Sequence, residues 1–186
     1  MAAILEAGAE AFREKGYDAV TMTEIAARSG TTFGSLYRFF PSKEALANAL
    51  LAQYAERALD RLAELAERAA TMTPAALADA LVDFMMQLQS ERSFAVPLME
   101  AGAGDGAKRE AFRAAFRASI GLILGCALPD CGQEKAQAMT AVVLHILKGL
   151  ATATPEKPAD ARLLRAEFRD LLCLYLGSRG TGTPSA

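Results

Sequence analysis

The residues of this 186-residue chain that could do chemistry gather between positions 21 and 43, and their types suit capping and contact. Thr21-Met22-Thr23-Glu24 has the form of a capping box, in which Thr21 accepts a backbone N–H and Glu24 reaches back. Ser29-Gly30-Thr31-Thr32 then supplies a turn between two short helices, at the spacing of a helix-turn-helix. Gly30 can take the left-handed conformation such a turn needs. Ala26 and Ala27 are small enough for two helices to cross closely, and Ile25 and Leu36 can fill the core between them. Thr32 caps the second helix, Phe33–Phe39, which Pro41 ends. The second helix of such a pair enters the DNA major groove by its N-terminal end. Here that end is Thr32, Phe33, Gly34 and Ser35, and an exposed Phe33 could touch a thymine methyl. The competing reading is an ordinary helical hairpin.

Enzyme chemistry finds little support. His145 is the single histidine, so a Ser/His/Asp triad would have to use it, and no nucleophile motif lies near. One His and no Cys pair cannot ligate zinc. Gly102-x-Gly104-x-Gly106 follows no strand and has the wrong spacing for a dinucleotide fingerprint. Cys126, Cys131 and Cys173 lack a C-x-x-C pair, which argues against a disulfide framework and for a reducing, cytoplasmic location. The expectation is a non-enzyme with no cofactor and no metal.

The elements that must position the turn are all helical. Ala and Leu abound, β-branched runs are nearly absent, and 52% of residues are hydrophobic, so the chain reads as an all-α fold of about nine helices. Leu5, Ala9 and Phe12 share a face that ends at Gly16, and Gly8 on that face permits close packing. Ser42 starts a long helix through Leu46, Leu50, Tyr54, Leu59, Leu62 and Leu65. Thr73-Pro74 caps another that carries Leu77, Leu81 and Phe84. Pro97 is expected to break a short segment, Phe94–Met99. The loop 101–106 reads as flexible, with Lys108, Arg109, Arg113 and Arg117 as a solvated basic face behind it. Three more helices follow, with stripes on Phe112 to Leu124, Met139 to Leu150 and Leu164 to Tyr175. The division is 1–46 as a helix-turn-helix domain, 47–177 as a helical ligand-binding and dimerisation domain, and 178–186 as a flexible tail. No apolar stretch reaches the roughly 18 residues needed to span a bilayer, and no basic leader precedes the first helix.

Residues 4–50 resemble the DNA-binding domain of the tetracycline-repressor (TetR) family of transcriptional regulators. The stretches that carry the likeness are Gly16–Ala26, Gly30–Phe40 and Ser42–Leu46, about a quarter of the chain. The resemblance implies that Tyr37, through its hydroxyl, and Lys43 bind backbone phosphate, and that Thr21 and Thr32 cap helices beside it. It makes Arg28, Thr31, Thr32, Phe33, Ser35 and Arg38 the candidates for the base-facing surface. Arg28 and Arg38 suit either guanine or phosphate. Two features depart from the family's pattern: no basic arm precedes Ile4, and Phe33 stands where a polar residue is commoner. Residues 1–50 carry five basic and six acidic side chains, so charge alone gives this segment no general attraction to DNA.

Phe84, Met85, Phe94, Met99, Phe112, Phe116, Met139 and His145 are candidates for the lining of an effector pocket, with plain core packing as the alternative. Phe39 and Phe40 read as core and hinge packing. The broad apolar stripes of the last two long helices suit a four-helix interface with a second copy, which the resemblance also implies. The resulting expectation is a homodimeric repressor. It would bind a double-stranded operator, and a small apolar or aromatic effector would release it as the fourth helix swings. The alternative is a helical interaction or redox-sensing module without operator binding.

Overall fold

The computed structural model describes residues 1–153 and 158–180. Among them are nine α-helices and no strand: α1 (Ala2–Ala19), α2 (Met22–Arg28), α3 (Phe33–Phe39), α4 (Lys43–Ala69), α5 (Pro74–Gln87), α6 (Gln89–Glu100), α7 (Gly106–Ala127), α8 (Gln133–Thr152) and α9 (Pro158–Gly180). The all-α expectation therefore holds. Contacts group these residues into two compact units. One comprises Met1–Ala58 with Gln89–Arg113, and the other comprises Leu59–Leu88 with the described residues from Ala114 onward.

Local chemistry sets the boundaries of the first unit. α1 is interrupted at Gly16, whose φ of 77° and ψ of 167° only glycine adopts without strain. Thr21, Thr32 and Ser42 each accept a backbone N–H three residues on, from Glu24 (3.2 Å), Ser35 (3.3 Å) and Ala45 (3.0 Å). These caps fix where α2, α3 and α4 begin. α1 packs along α6, and Ile4, Phe12, Ile25, Leu36 and Leu46 are buried in the core of this unit. At Gly8, a Cβ would stand 2.9 Å from the end of the Leu46 side chain, so a larger residue there would require that leucine to shift.

In the second unit α5 lies against α9 along its length, with α8 packed on both. Thr73 caps α5 by accepting from the Ala76 N–H at 3.2 Å, with Pro74 at the first helical position. Leu62, Leu77, Leu81, Ile120, Ile123, Val143 and Leu172 fill its centre.

Several expectations are corrected. α6 is a continuous helix from Gln89, not a broken segment at Phe94–Met99. Pro97 and Ser93, whose carbonyl loses its donor, both lie on the exposed side, where water can satisfy that group. The 101–106 loop is tied down: Arg109 Nη1 donates to the carbonyls of Gly102, Ala103 and Gly104 at 3.0, 2.7 and 2.6 Å. Asn48 Oδ1 on α4 accepts from the Asp105 N–H at 2.7 Å. Arg109 thus serves the loop instead of a solvated face. Phe40 is buried as expected but Phe39 is exposed, and Ala27 is exposed although Ala26 is buried. α9 continues to Gly180, and the rest of the expected tail, 181–186, lies outside the described residues.

Leu81 has no exposed surface in the α5 face of the second unit. Leu81→Ala should lower its stability by about 2–5 kcal/mol, the cost of a lost side chain plus the cavity left behind. Urea unfolding followed by circular dichroism checks this.

Candidate nucleic-acid interface and a cavity in the same unit

The α2–turn–α3 pair is built as a helix-turn-helix. Ile25 and Leu36 are fully buried between the helices, Gly30 turns the chain with φ 64°, and the Thr31 N–H closes the turn on the Ala26 carbonyl at 3.0 Å. The outer face of α3 carries Phe33, Tyr37 and Arg38, all exposed. Phe33 and Tyr37, one turn apart, pack at a tilt with ring centroids 4.5 Å apart and an interplanar angle of 47°. The Arg38 guanidinium lies 5.4 Å from the centroid of the Phe39 ring. Thr21 and Thr32 use hydroxyl lone pairs as caps, which leaves each O–H as a donor. Thr31 spends its hydroxyl on the Ser29 carbonyl at 3.4 Å, and Ser35 is half-buried.

Two of the expected cationic contacts are committed inside the protein. Arg28 Nη1 is 2.8 Å from Glu14 Oε2, and its Nη2 is 2.9 Å from Glu24 Oε1. Its pKa is raised, first by the hydrogen bond to Glu14. Lys15 Nζ shares Glu24 Oε1 at 2.7 Å. The hydrogen bond from Lys15 is the largest cause holding the Glu24 carboxyl below its ordinary value. Glu24 therefore ties α1 to α2 with its side chain, instead of reaching back to the cap as the capping-box pattern suggested. Lys43 Nζ donates to the carbonyls of Tyr17, Asp18 and Val20 at 2.8, 3.2 and 3.0 Å. It also sits 4.5 Å from the centroid of the Tyr17 ring, a cation–π distance. An ammonium has three protons, so all are engaged. These partners on α1, Tyr17 and Glu14, were not singled out from sequence, because a helix end offering carbonyls leaves no side-chain signature.

The effector-pocket candidates are not gathered into one place. Met99 and Phe112 line a cavity of about 80 Å³ in the first unit, whose other walls include Asn48, Leu51, Tyr54, Lys108 and Arg109. Tyr54 and Phe112 meet edge-on at 5.6 Å, and burial pushes the Tyr54 phenol above its ordinary value. Phe94 is buried in α6 of that unit. Phe84 and Phe116 pair at 5.9 Å in the second unit, where Met85 and Met139 are buried core and the Cys131 thiol lies 3.6 Å from the Met139 sulfur. His145 is exposed, with Nδ1 2.7 Å from the Ala141 carbonyl oxygen. Asn48, Leu51 and Ala55 were passed over in the sequence, although their spacing places them on one face of α4. Among the described residues, no group of three or more His, Cys, Asp or Glu is placed to hold a metal, and no helix is long and apolar enough to cross a membrane.

Comparison with known proteins bears on the same segment. Residues 4–50 match the family described as bacterial regulatory proteins, tetR family. The HTH-type transcriptional regulator UidR of Escherichia coli K12 is 43% identical over 61 residues, 33% of this chain and 31% of that regulator. The chain thus spans about a third of the length of the curated relatives it matches. Over nearly the whole chain, the fold is similar to solved structures. A tetR-family regulatory protein from Rhodococcus RHA1 superposes with a TM-score of 0.72 at 20% identity, covering 95% of this chain and 96% of that one. A transcriptional regulator from Aquifex aeolicus VF5 gives 0.68 at 22% identity, covering 94% and 98%.

Lys43→Met should destabilise the chain by about 1–3 kcal/mol, since three carbonyls lose a charged donor. Lys43→Arg should restore only part, because a planar fork cannot aim at the same three acceptors. Chemical denaturation measures both. For Glu24, the folded pKa is depressed, so its stabilisation is present above the usual Glu range and fades as pH falls through the folded value. Glu24→Gln should flatten that acid limb in thermal melts taken across pH.

Proposed function

We propose that this chain, whose residues 4–50 belong to the tetR family of bacterial regulatory proteins, is a ligand-responsive transcriptional repressor that binds double-stranded operator DNA as a homodimer. The observation that carries the reading is the geometry of residues 21–40. A glycine-turned helix pair buries Ile25 and Leu36 and leaves one face of α3 exposed, inside the segment that matches the family. In this reading residues 1–46 form the reading head, with α3 in the major groove. Tyr37 and the hydroxyls of Thr21 and Thr32 donate to phosphate, while Thr31, Phe33, Ser35 and Arg38 face the bases. Lys43 and Arg28 reach phosphate or guanine only by exchanging the partners they hold. The chain acts as a regulator and not as an enzyme, with the cytoplasm as its place of work.

The second copy joins through α8 and α9 of residues 47–177. Val142 on α8 and Leu163, Leu171 and Leu174 on α9 are exposed large apolar residues, and a partner helix pair would cover them. Dimerisation would set two reading heads about 34–36 Å apart, the separation of successive major grooves. The effector is a small apolar or aromatic molecule, and Met99 and Phe112 line the cavity that suits it. At about 80 Å³ this cavity is smaller than the roughly 150 Å³ at which an apolar cavity admits benzene. An aromatic effector therefore selects a widened state, and widening moves α4, whose residues Asn48, Leu51 and Ala55 form one wall.

The test is fluorescence polarisation of the full-length protein on duplexes tiled from the region upstream of its gene, with light scattering for mass. Salt-sensitive binding by a dimer, weakened by Tyr37→Phe, is the expected result. A monomer that shifts no duplex at low salt would overturn the proposal in favour of an interaction module without operator binding.

A further inference from the structure

We infer that Phe33, braced by the ring of Tyr37, is a specificity-determining residue that reads the 5-methyl group of a thymine. The inference rests on the operator reading above and deepens it. The exposed face of α3 carries an apolar ridge: Phe33 is 51% and Tyr37 39% exposed, and their rings meet at a tilt with centroids 4.5 Å apart. The tilted contact with Tyr37 packs one side of the Phe33 ring without burying it, so its outer face stays available. Beside it, Gly34 leaves bare backbone, with no atom within 4 Å of where its Cβ would stand, so a base edge can come close.

Three nearby cations are engaged elsewhere. Arg28, which could fork onto guanine, is held at 2.8 and 2.9 Å by two carboxylates on α1 and α2. Lys15 and Lys43 are occupied by Glu24 and by three carbonyls of the α1 end. Arg38 stays exposed on this face with its guanidinium over the Phe39 ring, and beside it Phe33, Tyr37 and Gly34 present carbon to a base pair. In the major groove the only apolar group on a base edge is the thymine methyl. Burying one methyl against an aromatic ring is worth about fourfold in affinity, from roughly 0.8 kcal/mol per carbon.

The experiment uses the full-length protein and duplexes that it enriches from a random pool. Each thymine is replaced in turn by deoxyuridine, which removes the methyl and keeps the base pair. At one thymine per half-site, wild-type affinity should fall about fourfold on that replacement. Phe33→Ala should bind the thymine and uracil duplexes equally. Tyr37→Phe, which keeps the ring and loses the hydroxyl, should bind more weakly overall but preserve the ratio, whereas Tyr37→Ala should lose it. Because Phe33 and Tyr37 are exposed, these variants should keep the wild-type melting temperature. Wild-type protein that is indifferent to uracil at every thymine overturns the inference and leaves the operator reading standing. A thymine preference that survives in Phe33→Ala does the same. A chain that enriches no duplex overturns the operator reading, and the inference with it.

Discussion

One ammonium group closes the amino-terminal unit. Lys43 Nζ, at the first residue of α4, holds three carbonyls at the end of α1 and rests against the Tyr17 ring. The chain between these two points is α2, the turn and α3, so the clamp fixes both ends of the helix pair at once. Without it, the carbonyls at Tyr17, Asp18 and Val20 would depend on water, and the short helices would rest on the buried Ile25 and Leu36 and on the ion pairs from α1 to α2. Seven-residue helices such as α2 and α3 have little stability of their own, so the closure around them decides whether they keep their crossing.

The same economy of charge shapes the surface around the turn. A helix-turn-helix with six acids and five bases in its first fifty residues would look poorly suited to a polyanion. The structure shows what part of that charge is for: Glu14 and Glu24 hold Arg28 and Lys15, which stitch α1 to α2. Internal pairing makes the face less basic than the sequence suggests, and it makes its carbon-rich character more prominent.

Much of this was legible in the residues. The caps at Thr21, Thr32, Ser42 and Thr73, the left-handed Gly30 and the buried pair Ile25 and Leu36 follow from local rules that act over a few residues, and the structure places them as those rules require. Less was legible where a side chain serves distant backbone. Lys43 and Arg109 read as surface cations because nothing in a sequence marks a carbonyl as waiting for a donor. Pro97 read as a break because its cost depends on whether the orphaned carbonyl faces water, which is a tertiary fact. The aromatic and methionine residues suggested one pocket, yet composition cannot say which apolar side chains share a space. The structure divides them between two units, with Met99 and Phe112 alone of that set on the cavity wall.

The contact between Gly8 and Leu46 carries a consequence for how such a chain can change over time. The missing side chain at position 8 is filled by the leucine of another helix, so the two positions hold a single shared volume. The two are coupled: a methyl gained at 8 pushes the end of the leucine aside, and a shorter residue at 46 opens a void that glycine cannot fill. Related sequences should therefore vary at these two sites in concert, a larger residue at one accompanying a smaller residue at the other.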